Sequence, residues 1–251
     1  MLVLLPPSET KRDGGDGPAL TLDGLSFPRL GAPRTAALAS TVELAGDAQA
    51  MMRALKLGPR QVGEVERNRR LRESPSMSTI DRYTGVLYDA LDSATLDDHA
   101  RAYAARHVVV HSALFGLLGA GDRIPAYRLS HDSRLPGLRL RRLWREPIAA
   151  ELEAAEGLVV DLRSEGYVDL GPAPLRRDAV FVRVVSVDES GRRRALNHFN
   201  KRTKGLFTRA LLEDRPELGD REDLIAWAST RGFRLDLGSP GAPAHELELV
   251  A

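Results

Sequence analysis

The chain has 251 residues, a formal net charge of +1, 43% hydrophobic and 28% charged residues, and no cysteine. This composition is typical of a globular protein with an apolar core, and the lack of cysteine excludes disulfides, thiolate metal sites and thiol redox chemistry. No apolar run approaches the ~18 residues that span a bilayer, and the first residues lack the pattern of a signal peptide. We therefore expect a cytoplasmic protein with no membrane partner.

The first predicted element is a short buried strand. Residues 2–5 are apolar, and Pro6 and Pro7 end the run because proline cannot continue a central strand. The polar residues that follow include Ser8 and Lys11. They lie in a loop at a strand end, where site residues tend to collect. Residues 12–33, rich in glycine, aspartate and proline, predict an ordered excursion or a mobile loop.

Two helices are predicted next, over residues 36–57 and 60–71, with a join at Gly58 and Pro59. This join is similar to the turn of a helix-hairpin-helix element, in which backbone amides hold a DNA phosphate. An ordinary turn between two helices explains the same residues. The arginines that follow are interleaved with glutamates, which is also typical of a solvated helix face.

Residues 82–88 predict a strand or turn that carries Tyr83, and residues 97–118 predict one long helix. In that helix His107 and His111 are spaced i, i+4, which can bind a metal ion. The pattern offers no third ligand, so we expect neither a metal site nor a bound cofactor.

An extended segment over residues 124–129 carries Tyr127 and Arg128. An arginine cluster over residues 134–145 follows, with Trp144 near its end. The cluster is either a basic binding surface or the start of a surface helix.

Residues 158–162 form a second predicted buried strand. The strand feeds a polar turn that contains Ser164, Glu165 and Tyr167. A buried strand followed by a polar loop repeats the organisation of the N-terminus.

The C-terminal part predicts a hairpin of residues 180–187 and 193–199, a helix over 220–231, and a final strand pair of 233–237 with 246–250. Strands and helices are mixed without a repeat or a linker. We therefore predict one α/β (mixed α+β) domain over residues 1–251, in which helices flank a mixed sheet.

The positive charge of the chain is gathered in residues 192–214, where seven basic residues precede the first carboxylate, Glu213. From Phe199 onward apolar and small residues recur with helical periodicity and predict a core-facing stripe. The opposite face carries Lys201, Lys204, Gly205 and Thr208. Glycine inside a helix costs about 1 kcal/mol relative to alanine, which predicts close approach of a ligand or of another backbone. We interpret this face as a helix surface that binds an anion. The alternative is a solvated face whose glycine packs against a neighbouring element.

In the order and spacing of several motifs the chain resembles the YaaA family of bacterial peroxide stress proteins nearly end to end. The motifs are PSETK at residues 7–11, YTG at 83–85, SALFGLL at 112–118, YRL at 127–129, Trp144, SEGY at 164–167 and NKRTKGL at 200–206. The resemblance implies a single α/β domain of unusual topology with a positively charged cleft and a helix-hairpin-helix element. It also implies binding of double-stranded DNA and a role in limiting oxidative damage, associated with lower intracellular free iron.

Two functions are therefore considered. In the first, a basic cleft binds duplex or distorted DNA during the peroxide stress response, and Tyr83, Tyr127 and Trp144 stack on an unpaired base. In the second, an enzyme acts on a small anionic or nucleobase-like substrate in the same cleft, with Lys11, Tyr83, Glu165 or Tyr167 moving protons. The candidate ligand-binding residues are Ser8, Lys11, Tyr83, Tyr127, Arg128, Trp144, Ser164, Lys201, Lys204, Gly205 and Arg209.

Overall fold

The computed structural model of the protein describes residues 1–187, 193–195, 199–239 and 241–251. Its strands, in chain order, are β1 (Leu2–Leu5), β2 (Gly17–Ala19), β3 (Pro75–Ser78), β4 (Val108–Ser112), β5 (Gly116–Gly119), β6 (Arg123–Ile124), β7 (Val159–Asp161), β8 (Ala179–Val187), β9 (Arg193–Ala195), β10 (Arg234–Leu237) and β11 (Glu246–Val250). Its α-helices are α1 (Gly31–Leu44), α2 (Ala48–Ala54), α3 (Gly63–Arg69), α4 (Thr79–Arg82), α5 (Val86–Leu91), α6 (Asp98–His107), α7 (Leu140–Glu153), α8 (Glu165–Val168), α9 (Phe199–Asp214) and α10 (Arg221–Thr230).

A large mixed sheet runs in the order β10-β11-β8-β7-β1-β4-β5, and β9 pairs with the C-terminal residues of β8. The five strands from β11 to β4 are parallel, whereas β5, β9 and β10 are antiparallel to their neighbours. A second, smaller sheet has the order β2-β3-β6. Helices flank the large sheet, which confirms the predicted mixed α/β class.

The predicted N-terminal strand is confirmed as β1, which lies between β4 and β7 and is parallel to both. Val3, Leu4 and Leu5 are almost fully buried, as expected for a strand covered on both faces. In the large sheet β4 pairs with one edge of β1 and β7 pairs with its other edge, so the strand order changes direction at β1. In open α/β sheets, ligands bind outside the carboxyl ends of the strands at such a switch point.

The single helix predicted over residues 97–118 is wrong. Helix α6 starts after its cap Asp97 and ends at His107, and the chain continues directly into β4 and then β5. The run of three valines starting at Val108 favours a strand because β-branched side chains fit a pleated sheet. His107 and His111 consequently lie on different elements, and the i, i+4 argument for a shared metal does not apply to them.

The helix predicted over residues 36–57 is divided in two. Helix α1 ends at Leu44, and α2 begins after Asp47, whose carboxylate accepts a hydrogen bond from the Ala50 amide at 3.0 Å. Glycine followed by an N-capping aspartate is a signal for ending one helix and starting another. The join at Gly58 leads through a short 3₁₀ turn into α3.

The remaining predictions near the C-terminus agree with the structure. Strand β8, helix α10 and the antiparallel pair β10–β11 form where alternation and periodicity predicted them. The predicted turn at 188–191 and residues 196–198 of the predicted strand lie outside the described residues. Among the helices of the described chain, none is both long and apolar enough to cross a membrane.

Candidate functional site at the carboxyl edge of the sheet

The two polar loops predicted from the sequence begin at the same edge of the sheet. One loop follows β1 and carries Lys11, and the other follows β7 and carries Ser164 and Tyr167. The Leu162 amide donates a hydrogen bond to the Leu4 carbonyl at 2.9 Å, so the two strands stay paired up to their ends. The loops therefore start side by side at the switch point.

Lys11 is the most unusual residue of this edge because its amine is buried and its hydrogen bonds to the described residues go to backbone carbonyls. Its Nζ donates to the carbonyls of Ser8 at 2.9 Å and Glu9 at 3.4 Å. The same atom lies 4.0 Å from the ring centre of Tyr127 and 5.1 Å from that of Tyr83. Burial, and next the charge of a neighbouring arginine, Arg128, lower the pKa of Lys11 to about 7.

The backbone around Lys11 is held from two directions. Lys11 and Tyr83 form an antiparallel bridge, and the next residue, Arg12, donates its amide to the Arg82 carbonyl at 2.9 Å. The buried guanidinium of Arg82 donates in turn to the carbonyls of Arg12, Pro75 and Ile124. These contacts tie the loop of Lys11 to the small sheet and fix the direction of its side chain.

A chain of buried hydroxyl groups lies beside the amine. The Tyr127 hydroxyl is hydrogen-bonded to that of Tyr83 at 2.8 Å and to that of Ser112 at 2.7 Å. The Ser112 oxygen also accepts the amides of Leu114 and Phe115. Burial raises the pKa of Tyr127 to about 12 and that of Tyr83 well above its usual range, so both phenols stay protonated at neutral pH. Sequence reasoning missed Ser112, whose signal was only its place in the SALFGLL motif.

Arg128 supplies a second cation close to Lys11. Its backbone is clamped by Asn68, which accepts the Arg128 amide at 2.8 Å and donates to the Arg128 carbonyl at 2.6 Å. Its guanidinium donates to the Glu9 carboxylate at 2.5 Å, and Glu9 is largely exposed whereas Arg128 is largely buried. Sequence reasoning missed both residues: Asn68 carries no local pattern, and the signal of Glu9 was only its place in the PSETK motif.

Tyr167 closes the site from the β7 loop. Its ring lies 5.2 Å from the ring centre of His131 and 5.4 Å from that of His111. A Cβ at the preceding Gly166 would lie 2.3 Å from the His131 ring, so any other residue there would displace the imidazole from its present position. Burial raises the pKa of Tyr167 well above its usual range, and nearby Tyr127 raises it further, which places Tyr167 with the Lys11 cluster.

The predicted anion-binding face of α9 is mostly buried in the protein. Of its four residues only Lys201 is exposed, whereas Lys204 and Thr208 are buried and Gly205 packs against α5. A Cβ at Gly205 would lie 2.2 Å from the Leu87 carbonyl oxygen. The glycine therefore allows the backbone of α5 to approach α9 closely. This was one of the two predicted explanations; the other was the approach of a ligand.

Lys204 is held inside the protein and does not reach a shared cleft. Its Nζ donates to the carbonyls of Leu162 at 2.9 Å and Arg163 at 3.3 Å, just after β7. Burial lowers the pKa of Lys204 to about 8. Its charged neighbours are the Asp161 and Glu165 carboxylates and the Arg183 guanidinium.

The other predicted site residues lie apart from the Lys11 cluster. Ser164 and Glu165 are exposed, and Glu165 accepts a hydrogen bond from Arg183 at 2.9 Å beside a cavity of about 430 Å³. Arg209 donates to the Leu91 and Asp92 carbonyls at the end of α5. Trp144 is fully buried and donates its indole N–H to the Ala113 carbonyl at 2.9 Å.

Stacking of a base on the predicted aromatic residues does not fit these positions. Trp144 and Tyr127 have no exposed surface, and only 2% of Tyr83 is exposed. A stacking platform needs an accessible ring face. The assignment of these three side chains as base-stacking residues on a DNA surface is therefore wrong for this conformation, because tertiary packing covers them.

We expect Lys11 and Lys204 to titrate near pH 7 and pH 8, far below an ordinary lysine, because burial removes the hydration of each ammonium. The chain has only four lysines, so their Cε signals can be followed one by one in ¹³C-lysine-labelled protein. The folded state releases these two protons at lower pH than the unfolded chain does. The free energy of unfolding is therefore expected to increase as the pH rises above 7. Titration of both residues at the ordinary value of 10.5 would contradict the burial argument.

Comparison with known proteins agrees with the resemblance noted in the sequence. A family model described as peroxide stress protein YaaA matches residues 1–237. A UPF0246 protein of Corynebacterium glutamicum strain R is 41% identical over 238 residues, covering 93% of this chain and 94% of its own length. A UPF0246 protein of Streptomyces coelicolor is 41% identical over 244 residues, covering 96% and 94%. The chain belongs to the YaaA family of peroxide stress proteins.

Proposed function

We propose that the cluster of Lys11, Tyr83, Ser112, Tyr127 and Arg128, the carboxyl-edge site, is the active site of an enzyme that acts on a small anionic substrate. The observation that carries the proposal is the buried amine of Lys11, which donates to the backbone carbonyls of Ser8 and Glu9 and lies against two tyrosine rings. Amines in such surroundings lose their proton near neutral pH. Strongly perturbed groups of this kind concentrate at functional sites.

Each residue has a role that follows from its surroundings. Lys11, with its pKa near 7, is available as an unprotonated amine under physiological conditions. Tyr127 is in hydrogen-bond contact with two further hydroxyls, so protons can be exchanged along this chain. Arg128 offers a planar guanidinium to a carboxylate or a phosphate. The site thus combines an anion anchor with a group that accepts a proton.

The test is binding of inorganic phosphate and of adenosine monophosphate by isothermal titration calorimetry. Loss of a charge-assisted hydrogen bond of about 1.5–3 kcal/mol weakens binding roughly tenfold or more, so Arg128→Gln is expected to bind these anions at least about tenfold more weakly. Lys201→Gln serves as the matched control because Lys201 is exposed on α9. Equal binding by wild type and Arg128→Gln would contradict the proposal.

DNA binding is the second candidate, and a specific surface favours it. Residues 133–145 contain five arginines and no carboxylate: Arg134, Arg139, Arg141, Arg142 and Arg145. All five are exposed, on and before the first turns of α7. Phosphates of duplex or distorted DNA bind such clusters with a steep dependence on salt. In this proposal the DNA contacts the arginine surface, and the helix-hairpin-helix role of the join at Gly58 remains a further expectation.

The DNA proposal is tested with a short labelled duplex and a matched bubble duplex at two salt concentrations. Changing Arg139, Arg141 and Arg142 together to glutamine is expected to abolish binding at the higher salt concentration, because three phosphate contacts are lost. Arg128→Gln is expected to leave it intact, because that side chain is largely buried at a separate site. Salt-independent binding, or a triple variant that binds normally, would argue against this surface.

A further inference from the structure

The arrangement around Lys11 specifies more than a site for an anion. We propose that Lys11 is an amine nucleophile that forms an imine with a carbonyl compound bearing a carboxylate or phosphate group. We further propose that Glu9 occupies the place of that anionic group in the free protein. The inference rests on the proposed function and names the substrate class for the same site.

Among the four lysines of the chain, the surroundings of Lys11 are the ones suited to this chemistry. Lys56 donates to the Asp132 carboxylate at 2.5 Å, and Lys201 is exposed to solvent. Lys204 is buried, and its charged neighbours are two carboxylates, Asp161 and Glu165, and one arginine, Arg183. The charged neighbours of Lys11 are two arginines and two glutamates, and Arg128 has the largest effect among them. A desolvated lysine beside another cation is an activated nucleophile.

The anion anchor is already engaged in the way that a substrate would engage it. The Arg128 guanidinium has five N–H donors. Among the described residues, it donates a hydrogen bond to the Glu9 carboxylate at 2.5 Å. Glu9 is 61% exposed, whereas Arg128 is 12% exposed and its backbone is clamped by Asn68. Because the arginine is fixed and the glutamate side chain is in solvent, Glu9 is the partner that can move away when a substrate carboxylate or phosphate arrives.

The step balances without an oxidant or a reductant. The lone pair of the neutral Lys11 nitrogen attacks the carbonyl carbon, the nitrogen gives up one proton, and the oxygen takes up one proton, which gives a carbinolamine. The hydroxyl group is then protonated and leaves as water while the nitrogen lone pair forms the C=N bond, and the nitrogen releases its remaining proton to give the imine. We assign the exchange of these protons to the hydroxyl chain of Tyr83, Tyr127 and Ser112, because the rings of its two tyrosines lie against the amine.

The test uses glyoxylate and glycolaldehyde, two small aldehydes of similar size of which only glyoxylate carries a carboxylate. The full-length protein is treated with each aldehyde and cyanoborohydride near pH 7, and the modified lysine is identified by peptide mass spectrometry. We expect glyoxylate to modify Lys11 at least about tenfold faster than Lys56 or Lys201 and faster than glycolaldehyde does. Glu9→Gln is expected to raise the rate at Lys11 several-fold, and Arg128→Gln to remove the preference for glyoxylate.

Uniform labelling of the four lysines, or a rate at Lys11 that is the same in wild type and Glu9→Gln, would overturn the inference. Lys11→Met, checked for folding by circular dichroism, must lose the selective modification without a change at Lys204. Absence of an imine together with Arg128-dependent phosphate binding would reject the nucleophile and leave the proposed function with Lys11 as a proton acceptor. Absence of both would reject the proposed function itself.

Discussion

Gly205→Ala is expected to lower the free energy of unfolding by about 2 kcal/mol or more, because overpacking of a tight contact typically costs 1–3 kcal/mol or more. A Cβ at this position would lie 2.2 Å from the carbonyl oxygen of Leu87 and 2.9 Å from the Cβ of Ala90. Both atoms are close to the backbone of α5, so no side-chain rotation can relieve the clash and the two helices must separate. The better helix propensity of alanine recovers only about 1 kcal/mol.

Urea unfolding followed by circular dichroism measures this loss. Gly63→Ala is the matched control, since Gly63 begins α3 and a Cβ there would meet nothing within 4 Å. We expect the control to be as stable as wild type or slightly more stable. A Gly205→Ala protein with unchanged stability would show that α9 is not held against α5 as closely as described, and would reopen Gly205 as a ligand contact.

Arg163→Met is expected to destabilise the protein by about 3–5 kcal/mol, the usual cost of leaving one charge of a buried pair without its partner. The Arg163 guanidinium donates to both oxygens of Asp161, at 2.9 Å and 2.6 Å. It also donates to Nδ1 of His111 and to the Gly171 carbonyl. Both members of the ion pair are almost completely buried. Methionine keeps the bulk of the side chain but satisfies none of these acceptors.

A double-variant cycle separates the contribution of the ion pair to the free energy of unfolding from the contribution of side-chain packing. Asp161→Asn combined with Arg163→Met removes both charges, so we expect it to be more stable than Arg163→Met alone. Thermal or urea unfolding measures both stabilities, and an Arg163→Met protein as stable as wild type would contradict this network of buried contacts.

The ion pair has a functional consequence because it lies between the carboxyl-edge site and the region of Lys204 and Glu165. Lys204 donates to the Arg163 carbonyl, and Arg163 donates to His111, whose ring contacts Tyr167 beside the carboxyl-edge site. Glu165 faces the separate cavity, where Arg183 binds both Glu165 and Glu246. The residues expected to share one cleft are therefore divided between the Lys11 cluster and the region of Lys204 and Glu165.

The local sequence pattern was sufficient to assign those elements whose apolar pattern fits only one type of secondary structure. The apolar runs at residues 2–5 and 158–162 became β1 and β7, and their following loops do carry Lys11 and Tyr167 to one edge. The run of valines at Val108 was misassigned because a short apolar stretch next to a helix satisfies both periods. Only pairing with β1 and β5 makes it a strand.

The orientation of α9 shows why periodicity alone does not locate a site. The sequence places Lys204, Gly205 and Thr208 on one face, and it does not state what that face meets. In the structure this face packs against α5 and against the end of β7, because Lys204 finds carbonyl acceptors and glycine permits close approach. A lysine at a buried position is thus satisfied by backbone atoms instead of by solvent or a ligand.

By itself the sequence determined the mixed α/β class, the position of the buried strands β1 and β7, the polar loop that contains Lys11 and membership of the YaaA family. Tertiary structure alone decided which polar residues meet. Ser112, Asn68 and Glu9 join Lys11 because β4, α3 and the first loop converge at one edge of the sheet. The physical reason is that hydrophobic periodicity is local, whereas desolvation of an amine and the approach of an arginine depend on residues more than fifty positions away in the chain.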